Sequence, residues 1–304
     1  MKDKKPFLTI DEQIRRLKER EMRFADESGA RAFLLVHNYY SVVNGYKAMF
    51  LDSDRTNQDV EFYRRGTDFL YLETLYLFDR ALRRQTLGQL LDVEESMRTA
   101  TIYAFCEKHR EEYAYLDPSC YCSASDYRSK KSYSKNLIRL LSTLQGVSEN
   151  RPHKKNIAHY INKYDNVPLW VLSKCLTFGV MSNFFELQQP DVKQKAAEYL
   201  SETVGHEMKP TQLRLAYKVL SGFRNICAHE ERLYCARTGK HDESSFRELM
   251  GHIAMVSTKD DMRDYVSRIS DVINLLSSPP LPGYISEEAT KSMRVDEGFM
   301  SSFK

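Results

Sequence analysis

Glycine and proline are scarce in this chain, 12 and 9 among 304 residues. So few turn-forming residues over that length favour long helices over many short strands. Cysteine is sparse too: Cys106, Cys120, Cys122, Cys175, Cys227 and Cys235. None forms a CxxC pair, and Cys120-x-Cys122 lacks a second pair at zinc spacing, so no metal site is expected. Long apolar runs are missing: the most apolar window, Leu169 to Met181, is broken by Ser173 and Lys174 and is too short for a bilayer. Met1-Lys-Asp-Lys-Lys runs into polar sequence with no apolar stretch behind it, unlike a secretory signal. The thiols are therefore expected to be reduced, in a cytoplasmic protein without membrane association. A Gly-rich phosphate loop is also lacking, which weakens the case for a nucleotide-directed regulator. No cofactor is expected.

What remains is an ordinary globular composition, 42% hydrophobic and 29% charged, long enough for one or two domains. Tyrosine (19) and phenylalanine (15) far outnumber the single tryptophan. Such rings usually build core, although tyrosine also stacks on nucleobases. Net charge is only +3, but it is unevenly spread. Between Tyr127 and Lys155, Arg128, Lys130, Lys131, Lys135, Arg139, Arg151, Lys154 and Lys155 face one acid, Glu149. That window carries +7 and leaves −4 for the rest of the chain. A concentrated basic stretch fits binding to a polyanion, and a solvated basic loop fits equally well.

Thr9-Ile-Asp-Glu12 has capping-box spacing, with Ile10, Ile14 and Leu17 on one face of the helix that follows. Ala32 to Val36 leads through Tyr39-Tyr40 to Gly45-Tyr46, read as a short helix ending at glycine. Helical periodicity then predicts one long helix over about 60–91 and another over about 94–113. The polar, Tyr/Ser-rich stretch from Tyr115 to Lys135 reads as a long loop or connector. Periodicity resumes at Asn136–Gln145, and an apolar helix follows that ends near Phe178-Gly179. Pro190 and Pro210 each precede a further helix, and a last amphipathic segment covers about 244–276. No strand alternation and no fixed-period repeat is found, so the expected fold is all-α. The expected organisation is an N-terminal helical part (1–115), a basic connector (116–155), a second helical part (156–277) and a mobile tail (278–304). Residues 6–277 forming one continuous domain is the alternative.

Leu213, Leu215, Ala216, Val219, Leu220, Phe223 and Cys227 mark the apolar side of a helix expected to continue through Arg224-Asn-Ile-Cys-Ala-His229 to Tyr234. Asn225 and His229 are four residues apart and share a face. Arg224 lies about 100° round the helix, with a side chain long enough to reach the same spot. Phosphodiester cleavage without metal uses such groups. A 2′-hydroxyl loses a proton, a 5′-oxygen gains one, and the phosphorane between them is stabilised. Histidine moves protons near neutral pH, arginine forks onto phosphate oxygens, and an amide fixes the imidazole. One histidine per motif makes two copies across a two-fold axis the fuller acid–base set. Against this, an Arg and a His five residues apart also arise by chance. A packed histidine or an Arg224–Glu230 helix pair explains them as well.

The surrounding sequence carries a resemblance. Arg224-Asn-x-Cys-Ala-His229-x-x-Arg232-Leu-Tyr234 resembles the R-x4–6-H signature of the HEPN superfamily, in particular its Abi-like (AbiD/AbiF) abortive-infection family. Pro6–Lys18, Asn38-Tyr-Tyr40…Gly45-Tyr46, Phe78-Asp-Arg-Ala-Leu82 and Glu94-x-x-x-Arg98-Thr99 are similar to that family's earlier blocks, in order. His159-Tyr…Tyr164…Val167-Pro-Leu-Trp170-Val…Leu176-Thr-Phe-Gly179 resembles its most recognisable one. The resemblance implies a HEPN-type helical bundle with added helices, a homodimer, and metal-independent endoribonuclease activity in phage defence, toxin-like in effect. Arg224 and His229 would be catalytic and Asn225 a polar neighbour. Some such proteins are restrained by a small structured RNA, which suits the basic stretch, where Arg128, Lys130, Lys131, Lys154 and Lys155 are the candidate phosphate contacts. A HEPN-like module that binds RNA or a partner without cutting is the alternative. His159 is expected to be packed and hydrogen-bonded, Glu94 and Arg98 a structural pair, and Cys227 core.

Overall fold

The computed structural model describes residues 6–57, 60–149, 155–239, 243–277 and 280–303, and among them no strand forms beyond isolated bridges. The capping box at Thr9 forms as its spacing predicts. Glu12 accepts from the Thr9 backbone and starts α1 (Ile10–Glu19), which buries Ile14 and Leu17. Asp26 caps α2 (Glu27–Val36). Tyr40–Asn44 then forms a separate π-helical turn and Lys47–Phe50 a 3-10 turn, so the second helix stops well before Gly45.

The two long helices expected before residue 113 are one, α3 (Phe69–Lys108), 40 residues and about 60 Å long. No proline interrupts it, and Gly88 alone is too weak a breaker to stop a helix whose neighbours are good helix formers. α3 runs through the centre of the molecule. α8 (Pro190–Val204), α9 (Pro210–Ala228) and α11 (Lys259–Asn274) pack along it, and α7 (Phe178–Glu186) and α10 (Phe246–Met255) pack against α9. Its buried polar side chains are tied across these interfaces: Thr86 to the Tyr265 hydroxyl at 3.0 Å, Thr101 to the Tyr217 hydroxyl at 2.8 Å. Buried side chains from Ile14 to Met300 belong to one contiguous core.

Several segments differ from the sequence reading. The supposed connector is largely folded: α4 (Lys130–Glu149) begins six residues earlier than its periodicity suggests. The preceding turns are held by tyrosine hydroxyls, Tyr115 donating to the Val167 carbonyl at 2.8 Å and Tyr121 to the Tyr115 carbonyl at 2.6 Å. After α5 (Lys155–Tyr164) and the single turn α6 (Leu169–Leu172), Phe178-Gly179 opens α7 instead of ending a helix, because Thr177 caps it. The last amphipathic segment is split into α10 and α11 by a new cap at Thr258. The supposed mobile tail forms α12 (Gly283–Met293) and α13 (Glu297–Ser301). Ile285, Ala289 and Met293, four apart, seat it on the core, and Arg237 donates to the Ser292 carbonyl at 2.8 Å.

Candidate functional site

α9 starts at Pro210, with the Lys209 backbone N–H donating to Gln212, and turns Leu213, Ala216, Tyr217, Leu220, Phe223 and Cys227 into the core. It was expected to run to Tyr234 but ends at Ala228. The His229 N–H bonds the Asn225 carbonyl at 2.9 Å, the Glu231 N–H bonds the Ile226 carbonyl at 3.0 Å, and Glu230 between them adopts φ 59°. This is a Schellman-type stop with glutamate at the left-handed position usually given to glycine. The strain of such a residue is of the kind that gathers at functional sites.

His229 therefore stands at the cap of the helix, exposed, with exposed Asn225 one turn before it. Arg224 goes elsewhere. Five residues separate it from His229, about 140° round the helix, and its half-buried side chain leans on α3. There Arg224 Nε lies 3.4 Å from Glu94 Oε2, close enough for an ion pair without hydrogen-bond geometry. Glu94 is buried and is also bonded by Arg98, whose guanidinium donates in turn to the Leu176 carbonyl at 3.2 Å. One buried carboxylate thus faces two guanidinium groups, and Glu94, read as a helix partner of Arg98 alone, is also the residue that orients Arg224. The alternative pair Arg224–Glu230 is not formed.

His229 borders a hollow of about 510 Å³ together with Tyr40, Asn44, Arg232 and Arg237. Neither Arg224 nor Asn225 lines it, so a single chain does not bring the motif's three polar residues into one cleft. Arg232 and Tyr40, quoted in the resembling blocks but given no role, do share the hollow with His229.

The loop after the motif is anchored by Asp79. Its carboxylate accepts from the Leu233 N–H at 3.1 Å, the Tyr234 N–H at 2.9 Å and the Tyr46 hydroxyl at 2.6 Å, and pairs with Arg83. The rings of Tyr46 and Tyr234 stack on each other, centres 6.1 Å apart. Burial pushes the Asp79 carboxyl up from its ordinary value, opposed by Arg83, Tyr46 and the two backbone donors. Three separate blocks, around residues 46, 79 and 233, meet at one carboxylate.

The model of the Abi-like protein family matches residues 32–235, about two-thirds of the chain and a span holding all three blocks. The chain belongs to the Abi-like family. That membership places it among abortive-infection proteins of phage defence. The match begins after α1, so the opening helix lies outside it, and it ends one residue past Tyr234. No curated protein and no solved structure matches the chain.

Within this Abi-like chain the basic candidates lie on one stretch. Arg128 is exposed, 3.7 Å from Glu186. Lys130 and Lys131 are exposed at the first turn of α4, and Lys155 is exposed at the first residue of α5. Lys154 lies outside the described residues. Two cations at a helix N-terminus oppose the helix dipole, an arrangement that an incoming phosphate relieves. His159, expected to be packed, is exposed, its ring edge-on to Tyr160 at 5.8 Å. The reason is that α5 buries only Ile157. Cys227 is core, and burial pushes its thiol up to about 12. Among the described residues no helix is long and apolar enough to cross a membrane.

Proposed function

We propose that the chain is a metal-independent endoribonuclease, a toxin-like effector of abortive infection. The observation that carries this reading is an exposed His229 and Asn225 at the C-terminal end of α9, with Arg224 of the same helix set against a buried carboxylate. In this mechanism the 2′-hydroxyl of the RNA gives its proton to one imidazole and its oxygen bonds phosphorus. The bond to the 5′-oxygen breaks, and that oxygen takes a proton from a second imidazole, leaving a 2′,3′-cyclic phosphate. Arg224 holds the phosphate oxygens as charge builds, and Asn225 steadies the imidazole. Because His229 and Arg224 diverge within one chain, the working site is composite, completed by a two-fold related copy. Arg128, Lys130, Lys131, Lys154 and Lys155 contact phosphates of the substrate, or of a small structured antitoxin RNA.

The same divergence favours a second reading, a HEPN-like module that binds RNA or a partner without cutting. One experiment separates them. Purified protein is incubated with mixed RNA in excess EDTA, beside Arg224→Ala and His229→Ala. Cleavage lost in both variants, with cyclic phosphate ends from the wild type, supports the nuclease. Cleavage that survives in the variants overturns it, and binding without cleavage selects the module.

A further inference from the structure

A second hollow, of about 640 Å³, opens at the C-terminal end of α3, and none of the motif residues lines it. Its walls carry three aromatic rings that a folded chain would ordinarily cover: Tyr103 is 64% exposed, Trp170 56% and Tyr113 37%. No cation of the described residues stands over any of these three faces, although six other rings carry one. The same walls bring three carboxylates, Glu107, Glu111 and Glu112, against one guanidinium, Arg110. Glu107 is engaged by the Tyr199 hydroxyl at 2.7 Å and Glu112 by the Asn166 amide at 3.2 Å. Among the described residues the exposed Glu111 side chain makes no hydrogen bond or ion pair.

The walls are built, not slack. Tyr115 and Tyr113 reach across to the Val167 and Asp165 carbonyls, at 2.8 and 3.3 Å. Tyr113 and Asp165 both take φ 57°, two left-handed non-glycine residues joined by one hydrogen bond at the lip. Such a preformed, aromatic-lined hollow has the volume of a ligand site. Its net negative charge repels a phosphate backbone, so the occupant is not RNA. Exposed π-faces that share their hollow with an unpaired carboxylate suit a planar cation, which stacks on a ring while donating a fork of N–H groups.

We infer that this hollow receives an arginine side chain presented by a partner peptide. The inference is independent of ribonuclease activity. Trp170 is the only tryptophan of the chain, so its fluorescence reports the site directly. The full chain is titrated with acetyl-Gly-Arg-Gly-amide, and in parallel with the same peptide carrying citrulline, which keeps the shape and loses the charge. A saturable change in Trp170 emission is expected with arginine and not with citrulline. Tyr103→Ala should weaken the arginine peptide roughly 2- to 5-fold, the range of one exposed cation–π contact, and Glu111→Gln should weaken it too. Both side chains are exposed, and far-UV circular dichroism verifies that the variants stay folded. Equal responses to arginine and citrulline overturn the inference, as does the lack of any saturable change. A response to a single-stranded RNA oligonucleotide alone would overturn it in favour of base stacking.

Discussion

Replacing Asp79 by alanine tests whether the motif loop is held by one buried carboxylate. The change removes the acceptor for Leu233 N–H, Tyr234 N–H and the Tyr46 hydroxyl, and leaves Arg83, 5% exposed, without its counter-ion. Removing one partner of a buried pair costs about 3–5 kcal/mol, because the other charge stays buried and uncompensated. For 304 residues the unfolding entropy is about 0.6 kcal/mol per degree, so this cost lowers the melting temperature by roughly 5–8 °C. Thermal unfolding followed by circular dichroism measures it. The double variant Asp79→Leu with Arg83→Met removes both charges and should recover part of the loss, though not all, since two backbone N–H groups remain orphaned. If Asp79→Ala melts with the wild type, the junction carries no stability and the argument fails. If the double variant is worse than the single one, the pairing with Arg83 is not what matters.

Glu94→Gln keeps its volume but loses the charge that orients Arg224. RNA cleavage should fall at least tenfold while the protein stays folded, and unchanged cleavage would remove Glu94 from the site. Cys227, its thiol pushed up to about 12, should resist alkylation at neutral pH until urea unfolds the chain, as mass spectrometry of labelled peptides would show. Burial lowers the His252 pKa, so the unfolded chain binds the extra proton first. Its contribution to stability is complete above the ordinary value of 6.5 and is lost as pH falls through the depressed folded value. Urea midpoints across that range should flatten in His252→Gln. Truncation after Leu281 removes Ile285, Met293 and Met300 from the core and should cost roughly 4–9 kcal/mol, read from the urea midpoint.

Local signals in the sequence translated well. The Thr9 capping box, the proline starts at Pro190 and Pro210, and the apolar face of α9 are each written within a few residues, and each forms, except that Leu215 of that face is exposed. What sequence could not show was convergence. Asp79 meets residues more than 150 positions later, and no periodicity encodes that. The sequence hides the end of α9 because its stop uses Glu230 in a conformation that normally advertises itself by glycine. The Tyr/Ser-rich stretch looked like a loop because hydroxyls, not an apolar stripe, satisfy its backbone. Counting residues on an unbroken helix puts Arg224 and His229 together. Glu94, from another helix, draws one of them aside.

The length of α3 sets a phase as well as a distance. Asp79 and Glu94 sit fifteen residues apart on it, about 22 Å of axial rise. One holds the loop after His229 and the other holds Arg224. A single residue inserted between them would turn one anchor about 100° relative to the other, and every contact at one end would point the wrong way. The surface turns on either side of α3 can lengthen or shorten without that penalty. Between 79 and 94 the chain behaves like a keyed shaft, where spacing is fixed by rotation, and drift in sequence there is confined to substitution.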